Sequence, residues 1–218
     1  MTNQHNEILA SMGIDVWVPR TLAKATSPLV NATNLAELAA TVARCTRCEL
    51  HQHRTQTVFG TGAADAPWLI IGEAPGAEED RSGEPFVGRA GQLLNAMLRS
   101  IGLAREQVFI ANALKCRPPN DRDPKEHEVA ECAEYLSEQV RLIQPRIIVA
   151  VGRVAAQSLL KKTTPIGKMR GQRYTYGEQQ IPVVVTYHPA YLLRSPKEKR
   201  KTWQDLNLAK KLFEESRP

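Results

Sequence analysis

Three polar residues of this 218-residue chain stand at the ends of apolar runs. Glu73 follows Trp68–Gly72, Asn112 closes Gln107–Asn112, and His188 follows Ile181–Tyr187. A carboxylate, a carboxamide and an imidazole in one crevice could hold a flat heterocycle and act on a bond to it. The Asn112 amide donates and accepts at once, which suits the edge of an amide-like ring. The His188 imidazole can donate to an oxygen where negative charge develops as a bond breaks. Gly72-Glu73-Ala74-Pro75-Gly76 adds a turn whose backbone can approach such a ring closely. Singly, each polar residue has an ordinary structural reading: Asn112 as a turn cap before Leu114, Glu73 as an acceptor of local amides, His188 as a packed ring. Their coincidence at three run ends carries the site.

The four cysteines offer a second chemistry. Cys45-x2-Cys48 is followed by Cys116 and Cys132 far along the chain. The polar stretch from Met1 to Leu9 shows no secretory signal, so a reducing, cytoplasmic setting is expected, where thiolates hold metal rather than pair as disulfides. A structural zinc and an iron–sulfur cluster both accept four thiolates, and spacing alone leaves both open. Cys132, at helical spacing between Val129 and Leu136, also reads as an ordinary buried cysteine.

These groups can meet only if the runs around them are neighbouring strands. Trp68–Gly72, Gln107–Asn112, Arg146–Gly152 and Ile181–Tyr187 each read as a buried strand. Between the first two, Gly91–Ile101 places Leu93, Leu94, Met97, Leu98 and Ile101 on one helical face, with Gly102 as a stop. Before the third, Pro124 opens a helix carrying Val129, Ala133, Leu136, Val140 and Ile143. Leu35, Leu38, Ala39 and Val42 predict an earlier helix capped by Thr33 or Asn34, another begins near Arg153, and a last one covers about 196–215. Strands alternating with helices predict an α/β fold, a three-layer α/β/α sandwich around a four-stranded parallel sheet. In such sheets ligands sit outside the carboxyl ends of the strands, where Glu73, Asn112 and His188 fall.

Hydrophobic residues at 42% and charged residues at 24% exclude collagen-like and largely disordered classes. No apolar stretch approaches the roughly 20 residues of a bilayer span, so no membrane role is expected, and nothing demands more than a monomer. The net charge of +6 is uneven, with 15 basic against 18 acidic residues over 1–152 and 14 against 5 over 153–218. Arg194, Lys197, Lys199 and Arg200 lie just beyond His188 and are candidates for phosphate contacts with a nucleic acid. A charge run is equally an ordinary solvated helix face.

Gly72-Glu73-Ala74-Pro75-Gly76, continuing through Glu79-Asp80 to Gly83-Glu84-Pro85-Phe86-Val87-Gly88-Arg89-Ala90-Gly91, resembles the first motif of the family 4 uracil-DNA glycosylases. His188-Pro189-Ala190-Tyr191-Leu192-Leu193-Arg194 is similar to their second, and the spacing of the four cysteines agrees. The resemblance spans about 35–215. It implies the uracil-DNA glycosylase superfamily fold, a structural [4Fe-4S] cluster on Cys45, Cys48, Cys116 and Cys132, and removal of uracil from DNA in base excision repair. It further implies that Phe86 stacks on the flipped uracil, Asn112 reads its Watson–Crick edge and His188 bonds its O2. Glu73 would lie beside the base, within the turn formed by Gly72, Ala74, Pro75 and Gly76.

Better-known members of the superfamily carry in the first motif an Asp that positions water, and Ala74 stands in its place. Asp121 and Glu79 are candidates for that role; family 4 members often show Asn-Arg where this chain has Asp121-Arg122. Two other readings are a non-catalytic iron–sulfur DNA-binding or recruitment module and a glycosylase-like protein that crosslinks to DNA. The latter group should carry Gln at the position of Ala74 and an Arg-rich insertion, and this chain has neither.

Residues 1–30 read as an appendage to the domain at 31–218. Ile8, Leu9, Met12, Ile14, Val16, Trp17 and Val18 could pack on the domain or serve as a partner-binding segment. Gly13-Ile14-x-x-Trp17 resembles the N-terminus of the psi subunit of the bacterial DNA polymerase III clamp-loader complex, which implies a replication-machinery partner through residues 8–20.

Overall fold

The protein was analysed as a computed structural model, which describes residues 32–216. The appendage at 1–30, with its segment 8–20, therefore lies outside the described residues. The helices are Leu35–Ala43 (α1), Ala77–Ser82 (α2), Arg89–Ser100 (α3), Glu126–Ile143 (α4), Arg153–Leu160 (α5), Ile166–Met169 (α6), Pro189–Arg194 (α7) and Lys199–Glu215 (α8). The strands are Trp68–Gly72 (β1), Val108–Asn112 (β2), Ile147–Val151 (β3), Arg173–Tyr176 (β4) and Ile181–Thr186 (β5), ordered β2-β1-β3-β5-β4.

Strands β1, β2 and β3 are buried at every position, as expected of apolar strands covered on both faces. Alternate side chains separate the two layers. Leu69, Ile71, Phe109, Ala111, Ile148 and Ala150 face α4, α5 and α6, while Trp68, Ile70, Val108, Ile110 and Val149 face α3 and α8. Helix α1 lies outside α4, with Leu38 and Val42 on Tyr135. Its start is fixed by the Asn34 side chain, which accepts from the Glu37 backbone N–H at 3.0 Å.

The expected four strands become five. Strand β4 reads Arg-Tyr-Thr-Tyr, alternates exposed and half-buried, and pairs antiparallel to β5 at the sheet edge. An edge strand buries little, so it lacks the apolar run that marks the others.

Register sets the site. Gly72 pairs with Asn112, and Val151 pairs with Thr186, so the loops carrying Glu73, Ala113, Gly152 and Tyr187 leave the sheet at adjacent places. The end of β5 is tied to α8 through fully buried Asp205, whose carboxylate accepts from Thr186 Oγ1 at 2.8 Å and from the Arg170 guanidinium at 2.9 and 3.1 Å. Among the described residues no helix is long and apolar enough to cross a membrane.

Candidate active site

A crevice of about 400 Å³ opens beyond the carboxyl ends of β1, β2 and β5, and Glu73, Asn112 and His188 all line it. Ala74, Pro75, Gly76, Glu79, Phe86, Asp121, Tyr191 and Arg194 complete much of the wall. Gly72 lies behind that wall. A Cβ there would stand 2.3 Å from Asn112 Oδ1 and 2.6 Å from the Phe86 ring, so only glycine lets the two approach. Gly72→Ala is accordingly expected to keep the fold while weakening ligand affinity by tenfold or more, measured by titration of a bound ligand.

Asn112 is buried, and its Oδ1 has no hydrogen-bond partner among the described residues. A buried acceptor left unpaired costs about 1–3 kcal/mol, which a ligand N–H would recover. Its backbone carbonyl accepts from Lys115 Nζ at 2.7 Å; that ammonium, itself fully buried, also donates to Gln139 Oε1 at 2.6 Å. Burial pulls the Lys115 pKa down to about 8.

Phe86 is buried with φ 54, a left-handed conformation rare for an aromatic residue. Arg105 holds it there, donating to the carbonyls of Pro85 at 2.6 Å and Phe86 at 3.3 Å. A Cβ on Gly91 would lie 1.7 Å from the Phe86 carbonyl oxygen, so α3 begins hard against this loop. The Phe86 ring lies 5.6 Å from the His188 ring at 32°.

His188 accepts through Nδ1 from the Ala190 backbone N–H at 3.2 Å, which leaves the proton of the neutral ring on Nε2. Its pKa is pulled down to about 4, chiefly by burial and then by the Arg194 charge, with Glu79 opposing. The ring is thus a neutral Nε2–H donor at neutral pH. Gly152 backs it: a Cβ there would meet His188 Cβ at 3.1 Å.

The four carboxylates at the crevice differ in their commitments. Glu79 accepts from the backbone N–H groups of Gly76, Val87 and Gly88 at 3.0–3.2 Å, so it braces the loop that carries Phe86. Glu73 is half-buried; burial and Asp123 raise its pKa, and Arg153 offsets them. Asp123 pairs with Arg153. Asp121 is exposed, with Oδ1 on Arg117 Nε at 2.7 Å. Asn120 and Asp121 have φ 56 and 53, two left-handed residues in succession that turn this loop toward the crevice.

Of the basic candidates, Arg194 lines the crevice, and Lys197, Lys199 and Arg200 are exposed on the chain leading away from it. Sequence reasoning missed Lys115, Arg105 and Gly152. Each acts on backbone or by leaving space, and no local pattern marks it.

The cysteines converge on a second, small cavity, lined by Cys45, Cys48, Cys116 and Cys132 with Arg54, Lys115 and Tyr135. All four are free thiols. Arg54 donates to Cys116 Sγ at 3.0 Å and to the Cys45 carbonyl at 2.9 Å. A guanidinium thus faces sulfur, while the Lys115 ammonium turns to Asn112 and Gln139. That arrangement suits an anionic metal–thiolate centre. No three of the Sγ atoms lie within 4.8 Å of one another. Glu49, His127 and Glu128 do come that close, yet Glu128 spends both oxygens on Arg122 and one also on the Lys125 N–H.

Residues 59–207 match the family model of the uracil DNA glycosylase superfamily. A type-4 uracil-DNA glycosylase of Sulfurisphaera tokodaii is 42% identical over 186 residues, covering 82% of this chain and 84% of its own. Those of Archaeoglobus fulgidus and Thermotoga maritima are each 44% identical, over 75% and 78% of this chain and 85% and 89% of theirs.

Proposed function

The chain belongs to the type-4 uracil-DNA glycosylases, and from that premise we propose how its residues take uracil out of DNA and hydrolyse its N-glycosidic bond. A bond inside a duplex is out of reach, so the nucleotide must leave the stack and enter the crevice. Phe86 stacks on the base. The unpartnered Oδ1 of Asn112 accepts from uracil N3–H while its amide nitrogen donates to O4, and this orphaned acceptor is the observation that carries the reading. Cytosine presents no N3–H and is rejected at that atom. Glu73 lies beside the base near its C5 edge.

As the bond from C1′ to N1 breaks, its electron pair leaves with uracil. The His188 Nε2–H then donates to O2, where the charge gathers. A water adds to C1′ of the oxocarbenium-like sugar and loses a proton, leaving an abasic site for base excision repair. Asp121 orients that water through its free oxygen. The amide oxygen of the Asn often found there in relatives can do the same, so Asp121→Asn is expected to stay within about tenfold of the parent. Asp121→Ala should lose roughly 10² in single-turnover rate. An unchanged rate in Asp121→Ala would remove the assignment.

The donor state of His188 has a pH signature. Protonation, which fills Nδ1 against the Ala190 N–H, is expected only near pH 4. The single-turnover rate should therefore run flat from about pH 6 to 8, with no inflection at the ordinary histidine value of about 6.5.

Cys45, Cys48, Cys116 and Cys132 hold a [4Fe-4S] cluster in this reading, supported by their convergence on one cavity and by the Arg54 guanidinium on Cys116 Sγ. Bound there, the cluster supplies a rigid tie rather than electrons, since the hydrolysis is redox-neutral. A centre held by thiolates favours a reducing, cytoplasmic setting, and the protein acts as a monomer in this reading. The replication-machinery partner proposed through residues 8–20 is tested by pull-down with and without residues 1–30; equal recovery ends it.

One assay tests the activity. A labelled uracil-containing oligonucleotide should yield alkali-labile abasic sites with turnover. A denaturation-resistant adduct would point to a crosslinking protein, and binding without abasic sites to a recruitment module.

A further inference from the structure

Of the large apolar side chains left exposed, Tyr191, Leu193 and Trp203 fall within α7 and the start of α8. Arg194, Lys197, Lys199 and Arg200 are interleaved with them. Trp203 is the most open, at 54% exposure. Of the cations of α8, Lys201 pairs with Glu198 and Lys211 with Glu215, while Lys199 and Arg200 have no acidic partner among the described residues.

The fold shows where this surface lies. Near its end, Phe213 of α8 packs on Trp68, the first residue of β1, with ring centroids 5.0 Å apart. Earlier in α8, Asp205 bonds Thr186, the last residue of β5. Helix α8 thus runs antiparallel to the strands. At a rise of about 1.5 Å per residue, Trp203 stands about 3 Å and Lys199 about 9 Å beyond the level of Asp205, on the crevice side of the sheet. Tyr191 and Arg194 line the crevice, and the short turn Pro196–Glu198 joins them to this helix face.

An exposed indole among unpaired cations matches a single strand, which offers unstacked bases beside phosphates. We propose that Trp203 is a stacking platform for an unpaired nucleobase of the strand that carries the uracil, outside the crevice, with Lys199 and Arg200 on the neighbouring phosphates. This rests on the uracil-excision reading and extends the footprint of the same site. The surface favours single-stranded flanks over duplex, because a paired base has no free face to give.

The test uses the full chain and oligonucleotides with a cleavage-resistant 2′-fluoro-deoxyuridine and flanks of two to ten nucleotides. The parent should gain affinity as a single-stranded flank lengthens. Trp203→Ala should lose about fivefold or more on the long single strand and nothing on the shortest one, with Trp203→Phe retaining most of the gain. On duplex DNA the parent and Trp203→Ala should bind alike. Replacing both Lys199 and Arg200 by Gln should lower the salt slope by about one to two. Equal affinities of parent and Trp203→Ala at every length would overturn the proposal, as would an equal loss on single strand and duplex. Parent protein that excises uracil normally but shows no flank effect sinks this inference alone. Parent protein that excises nothing sinks the functional reading first.

Discussion

Replacing His188 by Ala is expected to lower the single-turnover rate of uracil removal by roughly 10²–10³ while the protein stays folded. His188 sits just past β5 in a half-buried place between Phe86 and Gly152, so truncation leaves the strand pairing of Val183–Thr186 intact. What disappears is one donor. The backbone N–H of Ala190 fixes Nδ1 as an acceptor, and burial keeps the ring neutral, so Nε2–H is left free to donate into the crevice. A cationic ring would bind an anion more strongly but would have to be charged in a site that disfavours it. Binding of a cleavage-resistant uracil oligonucleotide should change far less than the rate, because the bond to O2 strengthens as charge develops. A variant with near-normal single-turnover rate, or one whose loss lies wholly in affinity, would remove His188 from that role.

Replacing Cys116 or Cys132 by Ala is expected to cost more than activity. The cysteines come from four places: the exit of α1, the turn before Glu49–Gln52, the loop after β2 and the middle of α4. Arg47 already joins the first two cysteines to Glu131 and Glu134 of α4, and Arg54 donates to Cys116 and to the carbonyl of Cys45, so the centre adds to an existing set of ties. Without the centre, the Arg54 guanidinium loses its anionic partner and the four segments lose their common ligand, so a clear loss of stability is expected. Protein purified without oxygen should carry about four irons per chain with broad visible absorption, and the variants should lack both and melt well below the parent. Stoichiometric zinc in the parent, or a Cys132→Ala protein with unchanged melting, would overturn the assignment.

The sheet was legible wherever a strand is buried on both faces. Trp68–Gly72 reads to the residue, because Pro67 and Glu73 bracket an unbroken apolar run. Strand β5 ends one residue earlier than its apolar run, at Thr186, since its hydroxyl turns inward to Asp205. Strand β4 was hidden, being polar and at an edge. For the site, the three strand-end groups stood out from pattern alone, whereas Phe86 needed the family resemblance. Arg105 and Lys115 act on carbonyls of other residues, and only three-dimensional contact exposes that. Glu79 looked like a partner for water, but three backbone amides already converge on it.

The buried Lys115 bridge has a bearing on fidelity. One ammonium joins the carbonyl of Asn112, the proposed base reader, to Gln139 of α4, the helix that carries Cys132. Corrosion of the centre would therefore loosen the reader as it loosens the fold. A glycosylase that lost only its discrimination would scatter abasic sites through intact DNA, which is worse than leaving a uracil in place. With the proposed reader and centre sharing one tether, damage to the centre is expected to silence the enzyme before it makes it indiscriminate.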